Sequence, residues 1–184
     1  MDEMCKTYIK KCEEVFEKKN IINISGNDLE KIKEYTGEIS ELYKYILGNY
    51  SNVFLKDKHE IFGKYQSYIS DENGAEPFLY FLGTGKVDNI FEVYDMYKKQ
   101  LPNQYFPIAL ADGGNLLCVN KIKTGIFIWL HDECGDDLFK IFDSLEELIM
   151  SIEEIEDIDE SVEFLSGEIE MSEEFLEALS KFMI

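Results

Sequence analysis

The sequence predicts a globular fold of helices and antiparallel strands, and three observations predict it. Residues 105–131 hold three apolar runs, YFPIALA, LLCVN and IFIWLHD, separated by DGGN and KTG, which is the pattern of an antiparallel meander. Several other stretches repeat apolar residues at three-and-four spacing, as helices do when they bury one face. The 184-residue chain is 45% apolar and rich in Tyr and Phe. A chain of that size can bury roughly 70% of its unfolded surface, enough to offset much of its conformational entropy.

The elements follow in order. Met1–Lys19 carries Cys5, Tyr8, Ile9, Cys12, Val15 and Phe16 on one helical stripe. Ser25 to Asn27 offers an N-cap for LEKIKEYTG, with Gly37 as its stop, and ISELYKYILGNY predicts another helix. The stretch 52–70 has no clean pattern. ENGAEP at 72–77 reads as a turn, FLYFLG as a buried strand, and VDNIFEVYDMYKKQ as a helix. That helix sets Ile90, Val93, Tyr94 and Tyr97 on one face, with Asp88 as its cap.

In the meander, Ile108 and Leu110 oppose Ala109 and Ala111, and the paired glycines of DGGN allow the positive φ that a hairpin bend demands. Phe127, Trp129 and His131 share one face of the third strand and Ile126, Ile128 and Leu130 the other, so it should be a central strand. LFKIF predicts a further strand. SLEELIMSI predicts a helix capped by Ser144, with Glu147 at the capping-box position. The core domain is expected to span 1–152. Residues 153–184 are expected to form an acidic helical C-terminal extension, with Phe175, Leu176, Leu179 and Phe182 as the stripe of a helix from Ser172.

Charge is the least ordinary feature. The net charge is −20 and unevenly spread: residues 1–131 hold 19 acidic and 16 basic side chains, and residues 132–184 hold 19 acidic and 2 basic. All 18 basic residues are Lys, so the bidentate recognition of phosphate that Arg provides is absent. Binding to nucleic acid or to an anionic membrane is disfavoured, and the natural partner is basic. With no signal-peptide core and no run of the roughly 20 apolar residues that span a bilayer, a cytoplasmic location is expected. The four cysteines are too scattered for a disulfide framework or a CxxC site and are expected to pack.

Catalytic motifs each fail at a specific position. GTGK at 83–86 lacks the earlier Gly of a phosphate loop and the following Ser or Thr, since Tyr80 and Val87 stand there. His131, Asp132 and Glu133 match the H-x-E of zinc deaminases, but no PCxxC follows. A metal cluster of Asp112, His131 and Asp132 or Glu133 is the remaining enzymatic reading. Against it, adjacent strand side chains diverge, and the only other histidine, His59, is in no ligand motif. A structural His131 packed beside Trp129 explains the residue without chemistry. No metal or cofactor is expected.

The run YFPIALADGGNLLCVN, then TGIFIWLHD, then IFDSLEELI resembles the SUKH superfamily, which includes the yeast cell-wall synthesis regulator and many bacterial immunity proteins. Tyr105, Pro107, Ile108, Gly113, Gly114, Asn115, Cys118, Gly125, Trp129, His131, Ser144 and Glu147 carry the likeness. It extends from about residue 78 to 152 and is weaker over 25–77. Two positions depart from the family pattern: Asn120 stands where relatives carry an acid, and Leu130 where they carry Asp, with Asp132 in the place of a Glu.

The resemblance implies a single α+β domain, a mostly antiparallel sheet flanked by helices, that works by binding protein. It implies an immunity protein that neutralises a toxin, often a nuclease. An acidic surface agrees with that role, because it complements the basic cleft a nuclease needs. The alternative within the family is an intracellular adaptor or regulator. In this reading Pro107, Gly113, Gly114, Asn115, Trp129 and His131 are signature residues of the scaffold. The partner-binding candidates are Asp132, Glu133, Asp136, Asp137, Glu153, Glu154, Glu156 and Asp157.

Overall fold

The computed structural model describes residues 3–62, 75–76, 78–131 and 138–154. Three helices come first: α1 (Glu3–Val15), α2 (Gly26–Thr36) and α3 (Glu41–Asn49). The boundaries have chemical causes. Ser25 Oγ accepts from the Asp28 amide at 3.1 Å, and Gly37, at φ +79°, donates its N–H to the Lys33 carbonyl at 2.9 Å. Ser40 caps α3 by accepting from the Tyr43 amide at 3.1 Å. The apolar stripe of α3 buries Leu42, Tyr43, Ile46 and Leu47.

Strands β1 (His59–Phe62), β2 (Ala75–Glu76) and β3 (Phe78–Phe81) lead to helix α4 (Ile90–Tyr97). Two expectations need correction. Asp88 does not cap α4: Asn89 does, its side chain accepting from the Phe91 amide at 3.0 Å. Asp88 is held in a left-handed conformation at φ +43° and accepts instead from the Tyr80 hydroxyl at 2.6 Å. Ala75 and Glu76, placed in a turn by their polar and glycine-rich neighbours, are paired as strand with β1. The rest of that expected turn lies outside the described residues.

The meander forms as expected. Strands β4 (Tyr105–Ala111), β5 (Leu116–Asn120) and β6 (Ile126–Trp129) pair antiparallel in succession, and β7 (Leu138–Phe142) adds to β6. With β3 on the other side, the order is β3-β4-β5-β6-β7. All four residues of β6 are buried, as an interior strand requires. It stops at Trp129, two residues short of His131, because its partner β5 begins at Leu116, opposite Trp129. The β4–β5 register shifts between Pro107 and Ala109, where proline interrupts the ladder for want of an N–H.

Helices α2 and α4 pack on the sheet through rings. Tyr35 stacks on Phe106 at 4.7 Å, Tyr94 lies 5.2 Å from Phe106, and Tyr97 meets Trp129 edge-on at 5.5 Å. The chain then forms α5 (Leu145–Met150), which packs with α1 and α3. Ser144 Oγ accepts from the Glu147 amide at 3.1 Å, and the Glu147 carboxylate reaches back to the Asp143 amide at 2.6 Å. That is one residue earlier than the capping box places it.

A second sheet closes the domain. Strand β8 (Ile152–Glu154) pairs antiparallel with β1, giving the order β2-β1-β8. Ile61 and Ile152 are directly opposite and fully buried. Residues 153 and 154, expected to open the acidic extension, are therefore strand; the rest of that extension lies outside the described residues. Among the described residues no helix is long and apolar enough to cross a membrane.

Candidate functional site

Five of the six signature residues, Gly113, Gly114, Asn115, Trp129 and His131, lie at one end of the meander. Asp112–Gly114 form a single 3-10 turn, with Gly113 at φ +64° and Gly114 at φ +84°, and Ala111 N–H closes it on the Asn115 carbonyl at 2.9 Å. His131 lies over this turn. A Cβ at Gly114 would come within 3.1 Å of His131 Cε1, so glycine is needed there for both its φ and its lack of a side chain. The His131 amide lies 3.4 Å from Asn115 Oδ1, its donor-to-acceptor distance, and its ring centroid is 6.2 Å from that of Trp129. Pro107 lies apart from them, buried within β4 opposite Cys118.

This constellation is built for packing. Trp129 is 1% exposed, and Tyr97 covers it. Cys118 is fully buried and Cys12 likewise; burial pushes the Cys12 thiol up to about 12 and raises Cys118 as well, so neither is a thiolate near neutrality. Asp112 is exposed at the turn. Among the described residues, no group of three or more His, Cys, Asp or Glu is placed to hold a metal ion. Asp132 and Glu133, the other members of the suspected cluster, lie outside them.

The two departures from the family pattern are both interior. Asn120 is 8% exposed, and its Oδ1 accepts from the Ile122 and Lys123 amides, each at 2.8 Å, fixing the β5–β6 turn. An acidic side chain offers the same acceptor, so the substitution keeps the bond and drops a charge. Leu130 is 1% exposed. Both side chains are buried.

Of the partner-binding candidates, Glu153 and Glu154 are described, and both are exposed on β8. Asp132, Glu133, Asp136, Asp137, Glu156 and Asp157 lie outside the described residues. Strand pairing adds one carboxylate that the sequence reading missed: Glu60 of β1 is directly opposite Glu153, and His59 is opposite Glu154. Glu60 and Glu153 share a face, since cross-strand partners do, and like charges so placed repel. Nothing local in the sequence announces this, because the two residues are separated by about half of the chain.

The lysines are distributed differently. Lys19 pairs with Glu13 at 2.6 Å, Lys33 with Glu30 at 2.7 Å and Lys98 with Asp95 at 2.8 Å, so the earlier part of the chain neutralises its own charge locally. Between residues 138 and 154 five carboxylates share one lysine, Lys140, which pairs with Asp143. Exposed pairs of this kind add little stability. Along the sequence, acidic and basic residues are nearly balanced up to residue 131 and strongly unbalanced after it.

Comparison with protein families gives one match: the SMI1 / KNR4 family (SUKH-1) covers residues 23–151, well over half of the chain. Comparison with curated proteins and with solved structures gives no match. The matched span takes in α2 through α5 and every strand of the five-stranded sheet, together with the glycine turn, Trp129 and His131.

Proposed function

Because this chain belongs to the SMI1 / KNR4 family (SUKH-1), we propose that it is a non-catalytic immunity protein that binds and neutralises a cognate basic toxin, a nuclease being the natural class. The observation that carries this reading is the unbalanced carboxylate surface that begins at Glu60, Glu153 and Glu154 and continues into a sequence of the same sign. A nuclease must gather positive charge where it holds phosphate. An acidic surface that caps this cleft accelerates encounter and blocks substrate at once. The signature turn and its aromatic neighbours support the scaffold; the acidic surface selects the partner.

The test is co-purification with the toxin domain encoded by the neighbouring gene. A stoichiometric complex and loss of toxin activity are expected. A partner that is not basic, bound with no effect on any toxin, would favour the adaptor role instead.

A further inference from the structure

A cleft of about 300 Å³ opens between the α2–α3 connection, the β5–β6 hairpin and the start of α5. Its wall is apolar at Ile108, Val119, Ile126 and Leu145. Tyr43 also lines it. At the hairpin, Ile122 is 71% exposed between Lys121 and Lys123. Glu38 and Glu146 line the other elements, so the cations are confined to the hairpin side.

We propose that residues 172–182 of this same chain, SEEFLEALSKF, seat one aromatic side chain of their apolar stripe in the cleft and set their carboxylates beside Lys121 and Lys123. Three considerations select this occupant. In charge, the segment offers Glu173, Glu174 and Glu177 flanking Phe175, Leu176, Leu179 and Phe182, and the hairpin offers two lysines beside an exposed isoleucine. In size, the cleft holds one large side chain and not a helix.

In reach, the path back from Glu154 through the three residues of β8 and the six of α5 is ~20 Å at its longest. A flexible linker as long as the 17 residues from 155 to 171 averages about 20–25 Å end to end, enough to span that path. Tethering then supplies a millimolar effective concentration, so a weak contact is populated.

The proposal stands apart from toxin binding, and its test uses the full chain alone. Hydrogen exchange is measured for the amides of residues 119–126 and 144–146 in the wild type and in a Phe175→Ser/Leu176→Ser/Leu179→Ser/Phe182→Ser variant. With a docking Kd of ~0.1 mM against that effective concentration, losing the stripe should speed exchange about tenfold. Lys121→Glu/Lys123→Glu should do the same, and adding Glu173→Lys/Glu174→Lys/Glu177→Lys should restore protection. Equal exchange in the wild type and the stripe variant would overturn the proposal. So would protection that grows with protein concentration, which would mean that a second copy is the occupant.

Discussion

The two sheets are built on opposite principles. The β4–β5–β6 meander comes from a continuous stretch of chain in which each strand finds its partner across a short turn. The three-stranded sheet joins β1 to β8, pieces of four and three residues brought together from distant parts of the sequence. One sheet encodes its own pairing; the other exists only because the domain around it has already folded. The first sheet is therefore expected to resist opening, and the second, whose strands are short and carry the exposed Glu153 and Glu154, to open more readily.

The largest expected effect is in the scaffold. Trp129→Ala removes a side chain that is 1% exposed, and a loss of about 3–5 kcal/mol in urea unfolding is expected. Ile152→Ala in β8 should cost roughly 2–4 kcal/mol by the same measurement. By native-state exchange, β1 and β8 should open before β4–β6. Equal protection of the two sheets would break the comparison.

Next comes the turn geometry. Gly125 sits at φ +121°, where a Cβ would lie 2.7 Å from the Phe142 carbonyl oxygen; at Gly114 the neighbour is a side-chain ring at 3.1 Å. Gly125→Ala should therefore cost the more, ~2–4 kcal/mol against ~1–2 for Gly114→Ala. The reverse order in thermal unfolding would show that His131 is held more rigidly over the turn than a backbone carbonyl is. Asn89→Ala should cost about 1 kcal/mol through its lost cap; a larger loss from Asp88→Ala would return the capping role to Asp88.

The smallest effect is in alkali. Burial, then the hydrogen bond to Asp88, pushes the Tyr80 hydroxyl up to about 12. A group raised on folding stabilises below its unfolded value, near 10 for tyrosine, and that contribution is lost as pH climbs from there through about 12. Tyr80→Phe should soften the decline in stability above pH ~10 without abolishing it, because burial also raises Tyr43 and Tyr50. An unchanged alkaline profile would remove Tyr80 from the account.

These contrasts also explain what was legible in the sequence. Caps at Ser25 and Ser144, the stop at Gly37 and the alternation of β4 to β6 are local signals, and each appears in the fold where its chemistry puts it. The cap of α4 was misplaced by one residue because Asp88 and Asn89 have the same local preference, and a tertiary bond from Tyr80 claims the first. β1, β2 and β8 were missed because two to four residues give no period to detect, and their pairing is set by partners far away. The signature residues were found as a group. The encounter of Glu60 with Glu153 was not, since it exists only in the pairing register.

The central claim is that the carboxylate surface captures a basic toxin. The most direct test is the association rate constant of this chain with the toxin domain from the neighbouring gene, measured by stopped flow as salt is raised. Steering predicts a fall on the order of tenfold or more between low salt and about 0.5 M, with Glu60→Gln/Glu153→Gln/Glu154→Gln flattening the dependence. An association rate indifferent to salt, in the wild type as in that variant, would contradict it.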